Sequence, residues 1–190
     1  MKLPNYLTLS RIVLTFIFAA LIYQPQFYLK VLALVIFIMA SFTDFLDGYF
    51  AKKMNLCSNF GKIMDPIADK FLMLTAFFIF AQMAIIPASM FIVIFFREML
   101  ITGLRLVAVG RGKVLAAEKL GKYKTVVQMV AVYMILFFIL LKESPLTAWK
   151  TKTALFYWEM SIYGVMLVAI FLTLVSGISY LSGNKEYYDR

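Results

Sequence analysis

Long apolar runs alternate with short polar stretches along the whole chain. Apolar residues dominate six segments, at about residues 4–23, 28–51, 64–84, 88–109, 121–141 and 153–181. Most of these runs reach the roughly 20 residues that an α-helix needs to cross the hydrocarbon core of a bilayer. The pattern predicts an all-α integral membrane protein, a bundle of six transmembrane helices in which residues 1–190 form a single domain.

The first predicted helix has an amphipathic start. Pro4 suits the first turn of a helix, and Asn5, Thr8 and Arg11 then recur at every third position, so they form a polar stripe at one end. This stripe either anchors the helix at the membrane interface or faces a polar site. Lys2 before an apolar run also resembles the start of a signal peptide. No convincing small-residue cleavage site follows it, so we expect a retained helix.

The composition agrees with a membrane protein and narrows its chemistry. Hydrophobic residues make up 63% of the 190 residues, and the mean hydropathy is +0.87, whereas about half the residues of an ordinary soluble domain are apolar. The chain has no His and one Cys, which excludes a Cys/His zinc site, a disulfide framework and a Ser-His-Asp triad. Oxygen atoms would therefore hold any metal ion. The net charge of +9 favours an anionic leaflet or an anionic substrate over nucleic acid.

Basic residues indicate which ends of the predicted helices face the cytoplasm. They gather at the N-terminus and in the second and fourth loops: Lys2, Arg11, Lys52, Lys53, Lys62, Arg111, Lys113, Lys119, Lys122 and Lys124. The first and third loops hold little but Lys30. The fifth loop disagrees, because it carries three lysines offset only by Glu143. The positive-inside rule therefore predicts that both termini and the second and fourth loops are cytoplasmic.

Four aspartates flank the second predicted loop. Asp44 and Asp47 lie near the end of the second helix, where Asp44, Asp47, Gly48 and Ala51 are spaced to share one helical face. Asp65 and Asp69 lie near the start of the third helix and are four residues apart. Pro66 suits the first turn of that helix, with Asp65 as its cap. The predicted topology brings all four carboxylates to the cytoplasmic side.

Four carboxylates in a small space repel one another unless positive charge compensates them. One interpretation is a salt-bridged hairpin at the membrane interface, with Lys52, Lys53, Lys62 and Lys70 as the partners. Divalent cations explain the cluster better, because Mg²⁺ and Mn²⁺ prefer oxygen ligands and several carboxylates can bridge two ions. Two such ions about 4 Å apart typically clamp a phosphoryl group. The residues therefore predict phosphoryl transfer at the membrane surface.

The spacing of these aspartates resembles the motif of the CDP-alcohol phosphotransferase family, D-x-x-D-G-x-x-A-R-x8-G-x-x-x-D-x-x-x-D. The matching positions are Asp44, Asp47, Gly48, Ala51, Gly61, Asp65 and Asp69, and Lys52 stands where the family has Arg. The resemblance implies that Asp44, Asp47 and Asp65 bind two divalent ions, Mg²⁺ or Mn²⁺, and that Asp69 binds metal and acts as general base. It also implies that Gly48 and Ala51 admit the cytidine nucleotide. We expect the CDP-diacylglycerol site to include Lys52, Gly61 and the stripe of Asn5, Thr8 and Arg11.

A second cluster of charged residues lies in the fourth and fifth helices. Arg97 and Glu98 fall well inside the fourth helix, and Glu98, Thr102 and Arg105 are spaced to share a face. Arg97 and Glu98 either form a buried pair that joins helices or belong to an anion site. Arg105, together with Lys122 and Lys124, predicts a pocket for an acceptor that carries a phosphate, and we assign Arg97 to it as well.

This cluster resembles the R-E-x-x-x-T-G-L-R and G-K-x-K-T-x-x-Q-M stretches of the bacterial phosphatidylglycerophosphate synthase branch of the family, and the opening resembles its P-N-x-L-T-x-x-R start. The resemblance implies transfer of a phosphatidyl group from CDP-diacylglycerol to sn-glycerol 3-phosphate. It also implies a homodimer of six-helix subunits in the bacterial inner membrane, with the active site facing the cytoplasm. A cardiolipin synthase or an inositol-phosphate-using enzyme is the alternative within the family. A cation transporter would more naturally carry its acids near the bilayer midplane.

Overall fold

The computed structural model of the chain describes residues 3–54, 59–110, 119–144 and 151–183, with side chains for 9–43, 70–108, 121–144 and 151–183. These residues form six helices and no strand. In chain order the helices are α1 (Leu3–Ile22), α2 (Phe27–Met54), α3 (Asn59–Gln82), α4 (Ala88–Gly110), α5 (Lys119–Glu143) and α6 (Lys152–Gly183). Each predicted apolar segment corresponds to one of them, so the all-helical prediction is confirmed for the described part of the chain.

The start of α3 differs most from its prediction. The helix begins at Asn59, seven residues before Pro66, so the expectation that Pro66 lies in the first turn with Asp65 as cap is wrong. The two turns before Pro66 mix the polar or small residues Asn59, Gly61 and Lys62 with apolar ones, so no continuous apolar run marks them. Hydropathy therefore misses the amphipathic beginning of a helix that becomes apolar only later.

Two of the helices are long and apolar enough to cross a membrane, namely α6 and the Gly121–Glu143 part of α5. The apolar parts of α1, α2 and α3 with described side chains are shorter, at Leu9–Ile22, Phe27–Thr43 and Lys70–Gln82. This finding indicates a membrane protein, whereas six spans stay a prediction. The chain divides into two compact units, one of Met1–Ile79 with Leu136–Lys150 and one of Phe80–Ile135 with Thr151–Arg190. The single-domain expectation also stays a prediction.

In the first unit, α1 packs against α2. Buried residues recur every three or four positions on each helix: Arg11, Thr15, Phe18 and Ile22 on α1, and Lys30, Ala33, Phe37 and Ala40 on α2. The rings of Phe18 and Phe37 meet with their centroids 5.3 Å apart. Because only residues 23–26 separate the two helices, α1 and α2 are antiparallel, and this aromatic contact sets their register.

Within the first unit, an ion pair joins the start of α2 to the end of α5. Lys30, in the first turn of α2, donates to Oε1 of Glu143 at the end of α5. The predicted alternating topology puts the start of α2 and the end of α5 on the same side of the membrane, and this contact agrees with that arrangement, although the basic fifth loop departs from the charge rule. In the sequence, Glu143 is the acidic residue that offsets the lysines of the fifth loop, whereas the structure pairs it with Lys30. Lys142, its neighbour, lies 5.8 Å from the ring centroid of Phe138.

In the second unit, α4 packs against α6. The buried residues of α6 form one stripe: Ile162, Met166, Ala169, Thr173, Ser176, Gly177 and Tyr180. Arg97 of α4 contacts Thr173 of α6, and Arg105, two turns later, contacts Tyr180. The residue numbers rise together along both helices, so α4 and α6 are parallel, as two helices separated by one antiparallel neighbour should be.

The turn between α3 and α4 closes with a left-handed residue. Ala84 has φ of 54°, a backbone conformation that glycine adopts at less cost than alanine. The amide of Ile85 donates to the carbonyl of Phe80 at 3.0 Å, and the amide of Ala84 donates to the carbonyl of Ala81 at 3.1 Å. These two bonds form a Schellman motif, which satisfies carbonyl groups at the end of α3.

Candidate functional site

The four aspartates lie on α2 and α3. Because α2 is continuous from Phe27 to Met54, Asp44 and Asp47 occupy one helical face, as their spacing predicted. Asp65 and Asp69 are one turn apart on α3. Their side chains lie outside the described residues, as do those of Gly48, Ala51, Lys52, Gly61, Asn5 and Thr8. The metal, base and nucleotide roles of these residues stay predictions.

The oxygen-only donor set still follows from the composition. The chain has no His and one Cys, so carboxylates are the charged ligands available to a divalent ion, and they suit Mg²⁺ or Mn²⁺. Among the side chains that the structure describes, no group of three or more His, Cys, Asp or Glu residues could hold a metal. The four aspartates do not belong to that described set.

Arg11 is the one predicted CDP-diacylglycerol ligand whose side chain is described. It is 1% exposed and continues the stripe of α1 that packs against α2. The hydroxyl of Thr15, one turn later, donates to the carbonyl of Arg11 at 2.8 Å. Arg11 precedes Phe18 by seven residues, and Asp44 follows Phe37 by seven residues. In the antiparallel register set by the Phe18–Phe37 contact, positions 11 and 44 are therefore level along the helix pair.

The second charged cluster forms a buried ion pair between helices. Lys124 of α5 donates to Oε1 of Glu98 on α4, and both side chains are almost fully buried, at 2% and 4% exposed. Arg97 also reaches this carboxylate, with Nη1 3.5 Å from Oε1 of Glu98. Two cations thus share one carboxylate in a setting with little water, where breaking a charge pair is costly.

Arg97 extends this network to α6. Its Nε donates to the carbonyl of Thr173 at 3.1 Å, and its Nη2 donates to Oγ of Ser176 at 2.8 Å. The side-chain amide of Gln128, on α5, donates to the hydroxyl of Thr173 at 3.2 Å. Buried polar groups therefore connect α4, α5 and α6, which supports the interpretation of Arg97 and Glu98 as a pair that joins helices.

The other two predicted acceptor ligands are accessible. Arg105 and Lys122 are exposed, on α4 and α5 respectively. The guanidinium carbon of Arg105 lies 5.9 Å from the ring centroid of Tyr180 on α6, within the range of a cation–π interaction. Of the four basic residues predicted for the acceptor, two are thus accessible, whereas Arg97 and Lys124 are largely buried and each contacts Glu98.

Sequence reasoning missed the contribution of α6. Thr173, Ser176 and Tyr180 contact the charged residues of α4, yet no site residue was predicted in this helix. A signal was present, because the three polar residues are spaced i, i+3 and i+7 in an otherwise strongly apolar segment. This spacing places them on one helical face. A polar stripe on one face of an apolar helix indicates that the face meets polar partners.

Comparison with known proteins gives a consistent result along the chain. A family model described as CDP-alcohol phosphatidyltransferase matches residues 1–175. A Bacillus subtilis protein named CDP-diacylglycerol--glycerol-3-phosphate 3-phosphatidyltransferase is 40% identical over 197 residues, which cover 97% of this chain and 96% of the relative. Proteins of the same name from Rickettsia typhi and Treponema pallidum are each 33% identical. Their alignments cover 98% and 95% of this chain, and 99% and 88% of the relatives.

Proposed function

Because the chain belongs to the CDP-alcohol phosphatidyltransferase family, we propose that it transfers the phosphatidyl group of CDP-diacylglycerol to sn-glycerol 3-phosphate. The products are phosphatidylglycerophosphate and CMP. The observation that carries this proposal is the 40% identity, over nearly the full length of both proteins, to a relative that bears the name of this activity. The same name recurs in relatives from other bacteria. The enzyme is therefore a transferase of phospholipid synthesis.

In this reaction, Asp44, Asp47, Asp65 and Asp69 would hold two divalent ions, which supply charge neutralisation at the phosphates. Asp69 also serves as the general base. The acceptor hydroxyl oxygen forms a bond to the phosphorus of the phosphatidyl group, the bond from phosphorus to the CMP oxygen breaks, and Asp69 takes the hydroxyl proton. No covalent enzyme intermediate is needed, because the acceptor itself is the nucleophile.

The CDP-diacylglycerol site comprises Arg11 with Asn5 and Thr8 of α1, and the small residues of the α2 motif. Support comes from the helix register, which puts Arg11 level with Asp44 of the motif. An arginine at this level can donate to nucleotide phosphate oxygens. Lys52 and Gly61 complete the proposed site, and Lys52 offers a point charge in place of a bidentate guanidinium. Gly48 and Ala51 leave room for the cytidine.

The acceptor phosphate binds Arg105 and Lys122, the two accessible cations of the basic cluster. Arg97 and Lys124 contribute to the acceptor site indirectly. Both contact Glu98 and are largely buried, so their contribution is to fix α4, α5 and α6 and to keep positive charge near the acceptor site. An anionic acceptor explains why an apolar chain keeps the two exposed cations, Arg105 and Lys122.

The proposed setting is the bacterial inner membrane, with six spans, both termini and the active site on the cytoplasmic side, and a homodimer as the assembly. The Lys30–Glu143 contact supports the alternating topology, because it joins two helix ends predicted to lie outside. The parallel course of α4 and α6 supports it too. Substituted-cysteine labelling from the two sides of the membrane tests this arrangement, since Cys57 is the only native thiol.

Release of CMP by the purified protein tests the choice of acceptor. The protein receives CDP-diacylglycerol and Mg²⁺ or Mn²⁺, and glycerol 3-phosphate, phosphatidylglycerol and inositol phosphate are offered separately. We expect release only with glycerol 3-phosphate, and none after chelation of the divalent ions. Release with phosphatidylglycerol or inositol phosphate instead would retain the transferase chemistry and overturn the acceptor.

A further inference from the structure

One face of α6 contacts both arginines of α4. The face consists of Thr173, Ser176, Gly177 and Tyr180, which are spaced i, i+3, i+4 and i+7 and are all buried. Thr173 and Ser176 hold Arg97 through two hydrogen bonds. Tyr180, one turn after Ser176, lies beneath the guanidinium of Arg105. The two arginines differ in exposure, because Arg97 is largely buried and Arg105 is exposed.

The Arg97 contact fixes the spacing between α4 and α6. A Cβ atom at position 177 would lie 3.4 Å from both Cγ and Nε of Arg97, so the arginine side chain lies directly across the glycine. Its guanidinium then reaches the carbonyl of Thr173 and the hydroxyl of Ser176. These contacts hold α4 against α6 two turns before Arg105. Two turns further along, the same packing brings the guanidinium of Arg105 over the ring of Tyr180.

Arg105 is a long side chain with many rotamers, and an exposed arginine ordinarily samples most of them. The ring of Tyr180 restricts this freedom, because a cation over an aromatic face is attracted to it. Tyr180 is 3% exposed, so the ring itself is held in place by its packing. A guanidinium that is already ordered loses less entropy when it binds an anion.

We propose that Tyr180 is a positioning residue for the acceptor: its buried ring holds Arg105 ready for the phosphate of the acceptor. This inference rests on the proposed function, in which Arg105 binds that phosphate. Tyr180 touches neither the phosphate nor the reacting atoms, so its loss weakens acceptor binding and leaves the chemical step intact. The effect requires the aromatic ring and does not require the hydroxyl.

Steady-state kinetics of the full chain in detergent micelles test the proposal. Glycerol 3-phosphate is varied at saturating CDP-diacylglycerol, and then the reverse. We expect Tyr180→Leu to raise the KM for glycerol 3-phosphate by about 3- to 10-fold and to leave kcat and the KM for CDP-diacylglycerol within about twofold of their starting values. Tyr180→Phe keeps the ring and should retain a KM close to that of the unsubstituted protein. Tyr163→Leu, an exposed aromatic on the same helix, is the matched control.

Arg105→Ala separates failure of this inference from failure of the proposed function. If Arg105→Ala leaves the acceptor KM unchanged, the proposed acceptor site is wrong. If Arg105→Ala raises that KM and Tyr180→Leu does not, only the positioning role is wrong. In the double variant, we expect Tyr180→Leu to add nothing to the effect of Arg105→Ala; independent, multiplying effects would overturn the inference. Should Tyr180→Leu fail to fold, Tyr180→Met removes the ring with a more adaptable side chain.

Discussion

Lys124 on α5 donates to the carboxylate of Glu98 on α4, and almost no water reaches either side chain. Lysine, glutamate and the neighbouring Arg97 form a charge network where an unpaired charge has little solvent to stabilise it. The network reaches α6 through Thr173 and Ser176. This relationship explains why charged residues occur in the middle of apolar helices and why two of the predicted acceptor ligands are not accessible.

Breaking the Glu98–Lys124 pair should strongly destabilise the protein. Glu98→Gln leaves the buried Lys124 without its carboxylate, which typically costs about 3 kcal/mol or more. We expect the midpoint of thermal unfolding in detergent to fall by about 5 °C or more. Lys122→Met, an exposed lysine two residues away, controls for loss of a positive charge on α5 and should shift the midpoint by less than about 1 °C.

A double-variant cycle tests whether the two groups act as a pair. Glu98→Gln combined with Lys124→Met should destabilise the protein less than the sum of the single substitutions, because removing both charges leaves neither one buried alone. Additive shifts in the unfolding midpoint would show that the residues are not coupled.

Loss of the Lys30–Glu143 pair should destabilise the protein less than loss of the Glu98–Lys124 pair, and it should not change the kinetics. Glu143 retains 32% side-chain exposure, so water can still solvate its carboxylate when the lysine is lost. We expect Lys30→Met to lower the unfolding midpoint by about 2–4 °C and to leave both substrate KM values unchanged. A marked rise in the acceptor KM would contradict the assignment of Lys30 and Glu143 to a purely structural contact.

Replacement of Ala84 by glycine should stabilise the protein. Its φ of 54° is a left-handed conformation that costs alanine about 1 kcal/mol relative to glycine. Ala84→Gly should relieve this cost and raise the unfolding midpoint by about 2 °C, measured beside Ala88→Gly, which lies at the first helical position of α4 and should bring no such gain. A fall with Ala84→Gly would mean that the turn does not keep this backbone conformation in the membrane-extracted protein.

Substitution of Asp69 by asparagine should separate metal binding from turnover. Because Asp69 is the proposed base, Asp69→Asn should reduce kcat by about 10²-fold or more, while the other three aspartates still bind Mn²⁺. Titration with Mn²⁺ followed by electron paramagnetic resonance measures the bound ions. Asp65→Asn, as the comparison variant, should weaken Mn²⁺ binding along with turnover. Near-normal kcat in Asp69→Asn would remove Asp69 from its proposed role as base.

The helices could be predicted because a long apolar run has few other stable forms in a membrane protein. The amphipathic ends of these helices are harder to predict, as the start of α3 at Asn59 shows. Charged residues were found by type and spacing, but spacing along one helix does not reveal the partner on another. The sequence groups Lys124 with Arg105 and Lys122 in an acceptor pocket, because all three lie near the predicted cytoplasmic ends of the fourth and fifth helices. Its contact with Glu98 depends on how α4 and α5 pack.

The polar face of α6 illustrates the same limit. Thr173, Ser176 and Tyr180 are ordinary residues that a membrane helix can place against a neighbouring helix or a binding site. Only the packing of α4 against α6 shows that they contact Arg97 and Arg105. Sequence spacing gives the face, and tertiary structure gives its partners.

The fate of labelled glycerol 3-phosphate tests the central claim most directly. The purified protein is incubated with CDP-diacylglycerol, a divalent ion and glycerol 3-phosphate that carries a radioactive label, and the lipid and aqueous phases are then separated. We predict that the label enters the lipid phase as phosphatidylglycerophosphate, one mole for each mole of CMP released. Release of CMP while the label stays in the aqueous phase would contradict the claim, because the phosphatidyl group would then have passed to water or to another acceptor.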